Sequence, residues 1–250
     1  MKDKPDFFNA FRMAFGFLTV LPVPQKKEWS ERDFGWSALF YPFAGALIGA
    51  CVGGAFILLA RVFYRPLADF LTLVVWILLS GGLHWDGLAD CFDGFCCSAE
   101  PSRRLEIMKD SRLGTFGALG VLCCLMVKWL CLWAMPPDGG ILFYVMTAAS
   151  ARWAFLFLIR MPVANPNGMA AMLKKHCPRH IALYAAPFAL VPAFFCGGLR
   201  GLLYPALNLL WIGLLSRIAL KKIGGINGDV LGFGIETGEI LILLAAQVLP

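Results

Sequence analysis

Charge is scarce in this chain. Asp, Glu, Lys and Arg make up only 15% of its 250 residues, against about 25% in a typical soluble domain. That shortage, with 59% hydrophobic residues and a mean hydropathy of +0.72, excludes an ordinary soluble domain and points to a polytopic membrane protein. The net charge of +6 has no basic block behind it, so nucleic acid is not an expected partner; anionic lipid or a phosphorylated ligand is. Nine cysteines supply no zinc-type CxxC pair and no disulfide framework. Cys51, Cys123, Cys124, Cys131 and Cys196 lie inside apolar runs and read as small buried hydrophobes in a reducing compartment. The first residues mix Lys2 and Lys4 with Asp3 and Asp6 and lack a small-residue cleavage site, so a removable signal peptide is not expected. No soluble domain, repeat or low-complexity linker interrupts the chain, which reads as one integral-membrane domain over residues 1–250.

What is present is a series of apolar runs near or above the roughly 17-residue spanning threshold. Candidate spans cover 36–60, 67–83, 114–135, 140–161, 181–199 and 201–219, and 238–249 is a last stretch too short for a confident span. The expected fold is all-α: a membrane helical bundle of about six or seven transmembrane helices with short interfacial or re-entrant helices. Residues 7–21 place Phe7, Phe8, Phe11, Phe15 and Leu18 on one stripe, with Asn9 and Arg12 off it, as expected of an interfacial helix or a shallow re-entrant element. Gly45 and Gly49, four apart, permit close helix contact.

Lys and Arg alternate in a consistent way between the loops. Four lie in 84–113 and three in each of 22–35, 162–180 and 217–237; the opposite set holds Arg61, Arg65 and Arg200, with none in 136–139. By the positive-inside rule the first set, and with it the Asp-rich loop, faces the cytoplasm.

That loop carries the chemistry. Residues 84 to 94 read His84-Trp85-Asp86-Gly87-Leu88-Ala89-Asp90-Cys91-Phe92-Asp93-Gly94. On a helix Asp86, Asp90 and Asp93 are spaced i, i+4 and i+7 and share a face. Like charges so crowded repel, and some stay protonated unless a cation relieves them. Carboxylate oxygens suit Mg²⁺ or Mn²⁺, which commonly hold substrate phosphates. His84 lies nearly opposite Asp93 on a continuous helix and is then a packing residue. If Gly82 or Gly87 breaks the helix, His84 reaches the site as a proton acceptor or phosphate contact.

Three other features add to this. Pro101-Ser102 starts an amphipathic surface helix with Arg103, Glu106 and Asp110 on one face and Leu105 and Met108 on another. It runs into Asp110-Ser111-Arg112-Leu113-Gly114-Thr115-Phe116-Gly117, which joins an acid, a base and a hydroxyl to glycines, Gly114 and Gly117, that let the backbone approach a ligand. Gly224-Gly225-Ile226-Asn227-Gly228-Asp229 is a turn of the kind that holds a metal or diphosphate, with Glu236 and Glu239 following in apolar surroundings. Arg152 and Lys128 fall inside spans, where charge is costly and often functional; Arg152 suits bidentate phosphate contact.

Taken with Phe17-Leu18-Thr19-Val20-Leu21-Pro22-Val23-Pro24 and Tyr41-Pro42-Phe43-Ala44-Gly45-Ala46-Leu47-Ile48-Gly49, these segments resemble the cobalamin synthase family of bacteria and archaea, the adenosylcobinamide-GDP ribazoletransferases. The segments follow the family order along the whole chain. Trp85 stands where an aliphatic residue is common and Asn227 where Thr is common; neither departure alters a proposed ligand. The resemblance implies the last step of cobalamin assembly, in which the 5′-hydroxyl of α-ribazole or of its 5′-phosphate attacks the cobinamide-linked phosphorus of adenosylcobinamide-GDP and GMP leaves. It implies Mg²⁺ and an inner-membrane location. On that reading Asp86, Asp90 and Asp93 hold Mg²⁺ on the diphosphate, and Asp110 and Asp229 form a second ligand set or anchor water. Arg112 and Arg152 stabilise the leaving group, His84 or one Asp accepts the proton, and Arg103, Gly114 and Gly117 help to bind substrate. A homo-oligomer, or association with other enzymes of the cobalamin pathway, is compatible with it.

Three rivals are weaker. A CDP-alcohol phosphotransferase has a similar acidic motif, but Asp90 stands where that family has Arg and Asp93 follows too soon. A divalent-cation transporter would carry its acids near the midplane, and most of these lie in loops. A non-catalytic scaffold leaves the Asp spacing unexplained.

Overall fold

The structure is a computed structural model that describes residues 4–24, 30–135 and 140–249. Lys2, Asp3, Lys26, Lys27 and the 136–139 loop, used above, lie outside the described residues. The described chain folds as α1 (Phe7–Leu18), α2 (Glu31–Ser37), a 3₁₀ turn, α3 (Tyr41–Leu59), α4 (Arg65–Leu79), α5 (Leu83–Cys96), α6 (Pro101–Ile107) and α7 (Thr115–Ala134). It continues through α8 (Gly140–Ala154), a second 3₁₀ stretch, α9 (Met169–His176), α10 (Ile181–Ala185), α11 (Pro187–Gly201), α12 (Leu203–Ile223) and α13 (Gly228–Ala245). Strand pairing among the described residues is limited to one bridge, Val163 to Ile226. An all-helical bundle is what the apolar runs call for, because backbone groups in lipid must be satisfied internally.

Among the described residues, five helical stretches are long and apolar enough to cross a membrane: Glu31–Leu59, Thr115–Ala134, Gly140–Arg160, Ile181–Gly201 and Leu203–Ile223. Helix α4 joins them only when counted with α5, and the two are bent by 93°. The bend sits at Gly81 and Gly82, both left-handed at φ 67° and 69°, a conformation that costs other residues about 1–2 kcal/mol. Helix α5 therefore lies across one end of the bundle instead of extending α4 through it.

The core is built on small residues. Helix α3 packs on α8 so closely that a Cβ on Gly45 would sit 2.5 Å from the Ala148 carbonyl oxygen and one on Gly49 2.3 Å from that of Tyr144. This is the close contact that the glycine spacing permits.

Two elements differ from expectation. The last helix begins at Gly228, ten residues before the apolar stretch 238–249. Asp229, Glu236 and Glu239 lower the hydropathy of its first half, but the helix is real: Asn227 caps it, its Oδ1 accepting from the Val230 N–H at 3.0 Å. Helix α1 buries only the later part of its phenylalanine stripe. Phe7 and Phe8 are exposed, whereas Asn9, Ala10, Ala14, Phe15 and Leu18 are buried. Asn9 turns inward because its amide donates to the buried Asp33 carboxylate of α2 at 2.8 Å.

Candidate functional site

The loops rich in Lys and Arg meet at one end of the bundle. Lys222 Nζ donates to the Phe95 carbonyl at 2.7 Å, and Arg104 donates to the carbonyls of Gly94 and Phe95 at 2.7 and 2.9 Å. Val163 pairs with Ile226, and His176 Nε2 lies 2.8 Å from Glu31. At the other end Arg65 holds Asp69 at 2.6 Å and the Leu132 and Met135 carbonyls at 2.9 and 2.7 Å. The alternation of charge in sequence thus corresponds to two physical ends.

At the first end α5 lies against the start of α13. Gly87 makes this possible: a Cβ there would stand 2.9 Å from Asp229 Cα. The contact gathers Asp86 and Asp90 of α5 with Asp229 of α13. Neither helix belongs to the five long apolar stretches. Burial, and then repulsion from Asp229, Asp86 and Asp93, push the Asp90 carboxyl up to about 7. Burial and then Asp86 push Asp229 up to about 6, against a hydrogen bond from the Asn227 amide at 2.7 Å. The sequence linked Asp229 to this site only as a second set; the fold puts it beside Asp86 and Asp90.

Asp93 is the correction to the acidic trio. Its Oδ2 accepts from the Gly114 N–H and its Oδ1 from the Gly117 N–H, both at 2.8 Å. The first turn of α7 has backbone donors without helical partners, and a carboxylate satisfies two of them and the helix dipole together. Asp93 therefore caps α7, a role that the spacing alone did not show. Gly114 and Gly117 do admit an anion to their backbone, but that anion is Asp93: a Cβ on Gly114 would lie 2.3 Å from its Oδ1.

The basic residues of the same region also find local partners. Arg103 pairs with Glu106 at 2.7 Å, both well exposed. Arg112 grips Asp110 through Nε at 3.0 Å and Nη2 at 2.6 Å, which holds the Asp110 carboxyl down at about 2. These pairs sit on the surface and line neither cavity described below. The amphipathic helix itself is as expected, with Pro101 as its first residue and Met108 packed on Gly94.

Arg152 lines neither of the cavities beside Asp229. It is fully buried, with Nη1 2.6 Å from Glu239 and 3.0 Å from the Ala148 carbonyl. Glu239 also accepts from Lys128 at 2.5 Å, and Lys128 donates to Glu236 at 2.9 Å. Lys128 lies over the Trp76 ring at 4.3 Å. Two cations and two carboxylates thus neutralise one another inside the bundle. Read singly in the sequence, Lys128 and Arg152 looked like site residues; the signal that pairs them is Glu236 and Glu239, two acids in an otherwise apolar stretch of α13. His84 connects the two regions. The break at Gly82 precedes it, so it lies in the first turn of α5, its Nδ1 3.7 Å from Glu236.

Two cavities open beside Asp229. An apolar one of about 130 Å³ is walled by Phe17, Phe34, Tyr41 and Phe155, with His84, Asp86 and Asp229 at one side. A second of about 300 Å³ is lined by Lys109, Asn165, Asn227 and Asp229. Sequence reasoning singled out neither Lys109 nor Asn165, which lie far apart in the chain. No three His, Cys, Asp or Glu side chains among the described residues converge closely enough to hold a metal ion unaided. The donors nevertheless suit Mg²⁺: all-oxygen, of one sign, and short of counter-charge. Mg²⁺ commonly takes only one or two carboxylates and completes its shell with water and substrate phosphates.

The family model for cobalamin-5-phosphate synthase matches residues 10–247. An adenosylcobinamide-GDP ribazoletransferase of Ralstonia pickettii is 35% identical over 242 residues, covering 95% of this chain and 94% of the relative. The one of Geotalea daltonii is 32% identical, covering 93% and 94%, and that of Escherichia coli K12 is 32% identical, covering 94% and 98%. No solved structure matches the chain significantly. A match that runs from α1 to the end of α13 and takes in every segment of the acidic end has one meaning: the chain belongs to the cobalamin-5-phosphate synthase family.

Proposed function

We propose that this protein is a membrane-embedded, Mg²⁺-dependent adenosylcobinamide-GDP ribazoletransferase. The hydroxyl oxygen of α-ribazole, or of its 5′-phosphate, forms a bond to the cobinamide-linked phosphorus. The bond from that phosphorus to the oxygen of the GMP unit breaks, and GMP leaves with the electron pair. The observation that carries this reading is the placement of Asp86 and Asp229 at the aromatic cavity, and of Asp229 at the second one, with Asp90 near enough to feel both charges.

Asp86, Asp90 and Asp229 would hold Mg²⁺, which would neutralise charge on the diphosphate oxygens. The chain's own residues do the rest. The bundle end positions both substrates, and phosphoryl transfer depends mainly on such positioning. His84 or Asp86, at the side of the apolar cavity, accepts the proton of the attacking hydroxyl. Asp93 fixes α7 against α5 and so keeps the acidic face in place. The gathering of Lys and Arg at this end supports an orientation with the site toward the cytoplasm, in the inner membrane. Association as a homo-oligomer or with other pathway enzymes is compatible with the apolar exterior.

The test is an assay of purified chain in nanodiscs with adenosylcobinamide-GDP and α-ribazole. Stoichiometric GMP and adenosylcobalamin, lost on chelation and restored by Mg²⁺, is the expected result. No GMP release under any condition would remove the activity, and release unaffected by chelation would remove the metal.

A further inference from the structure

The two cavities are not equivalent, although Met169, Ala170, Gly228 and Asp229 border both. The first is dry and aromatic. Tyr41 stacks on Phe155 with centroids 5.6 Å apart and planes 14° from parallel, and Phe17 packs edge-on to Phe34 at 6.3 Å. The second opens among the surface loops. Lys109 stands exposed at its rim with no ion pair among the described residues, and Asn165 commits its Oδ1 to the Asn167 N–H at 3.1 Å, which leaves the amide nitrogen to donate.

A transferase that joins two substrates needs a place for each. We propose that Asp229 divides two specificity pockets: the flat, apolar base of the acceptor enters the aromatic cavity, and the anionic nucleotide half of the donor occupies the polar one. This deepens the function proposed above and rests on it. Guanine carries an amide and an amine on one edge, and burying them among Phe17, Phe34, Tyr41 and Phe155 without partners would be costly. A dimethylated benzimidazole has no such edge, and ring stacking favours it. The phosphate of the nucleotide half gains from the Lys109 ammonium and from water on departure. The arrangement also sets the acceptor and the leaving group on opposite sides of the acidic cluster, as an in-line displacement requires.

The experiment is steady-state kinetics of GMP release by the full chain in nanodiscs. Phe17→Ala should raise KM for α-ribazole about tenfold and leave KM for adenosylcobinamide-GDP within about twofold. Lys109→Ala and Asn165→Ala should do the reverse. To separate recognition from any folding defect of an aromatic-wall variant, the unaltered chain is also offered an imidazole riboside in place of α-ribazole; a smaller base should raise the acceptor KM by at least about tenfold. Both substrates shifting together in every variant, a reversed pattern, or indifference to the size of the base would overturn the assignment. Absence of GMP release by the unaltered chain would instead count against the activity itself.

Discussion

In its first turn α13 sets Asp229 beside two further carboxylates, and among the described residues none of the three is paired with a cation. About two turns deeper the same helix sets Glu236 and Glu239 against Lys128 and Arg152, and there charges cancel. Acids of one helix thus serve two purposes. The deep pair is balanced and fully buried, which is how a bundle carries charge without a ligand. The end cluster is unbalanced and partly open, with carboxyls pushed upward in affinity for protons, which is how a protein prepares for a cation. Charge balance, more than the mere presence of acids, separates scaffold from site.

The comparison can be broken most directly in the core. Glu239→Ala leaves Lys128 and Arg152 sharing a single carboxylate, and should cost about 3–5 kcal/mol in thermal or denaturant unfolding of the solubilised protein. A variant as stable as the parent would mean that the core charges are not mutually dependent. At the acidic end the expected signature is opposite. Asp90→Asn should purify in normal yield, unfold no more easily than the parent, and lose at least about a hundredfold in turnover at saturating Mg²⁺. Near-parental turnover would remove Asp90 from the site.

Asp93 sharpens the contrast because it shares the α5 face with Asp90 but caps α7. Asp93→Ala should lower stability by about 1–2 kcal/mol, measured by the same unfolding assay, with a smaller loss of turnover than Asp90→Asn. The reverse ranking would restore Asp93 as a ligand. The smallest effect is expected at the exposed Asp110–Arg112 pair: Arg112→Ala should keep turnover within about threefold. A large loss there would show that the loop closes onto substrate.

These contrasts also mark how much was legible in the sequence. Spans, loop alternation and the acidic face of α5 follow from local periodicity and composition, and the fold contains them. What periodicity cannot supply is the partner. Asp86, Asp90 and Asp93 share a face by spacing alone, but only the arrival of the α7 N-terminus gives Asp93 two backbone donors to hold. Arg152 and Lys128 look like unsatisfied membrane charges until Glu236 and Glu239, some hundred residues away, are packed against them. The front half of α13 was hidden for the same reason: its acids depress hydropathy, and only their buried partners make them compatible with a helix there. Asn9 repeats the lesson on a smaller scale, polar by type and buried because Asp33 awaits it.

One consequence concerns depth. Helix α13 is continuous from Gly228 to Ala245, and at a rise of about 1.5 Å per residue Asp229 stands roughly 15 Å along its axis from Glu239. Glu239 is clamped to two other helices, so the height of the acidic end above the middle of the protein is fixed like a rung on a post. In lipids of shorter or longer acyl chain the bilayer must thin, thicken or tilt the bundle to suit. The carboxylates cannot retreat independently, so acyl-chain length sets whether they meet water or headgroups.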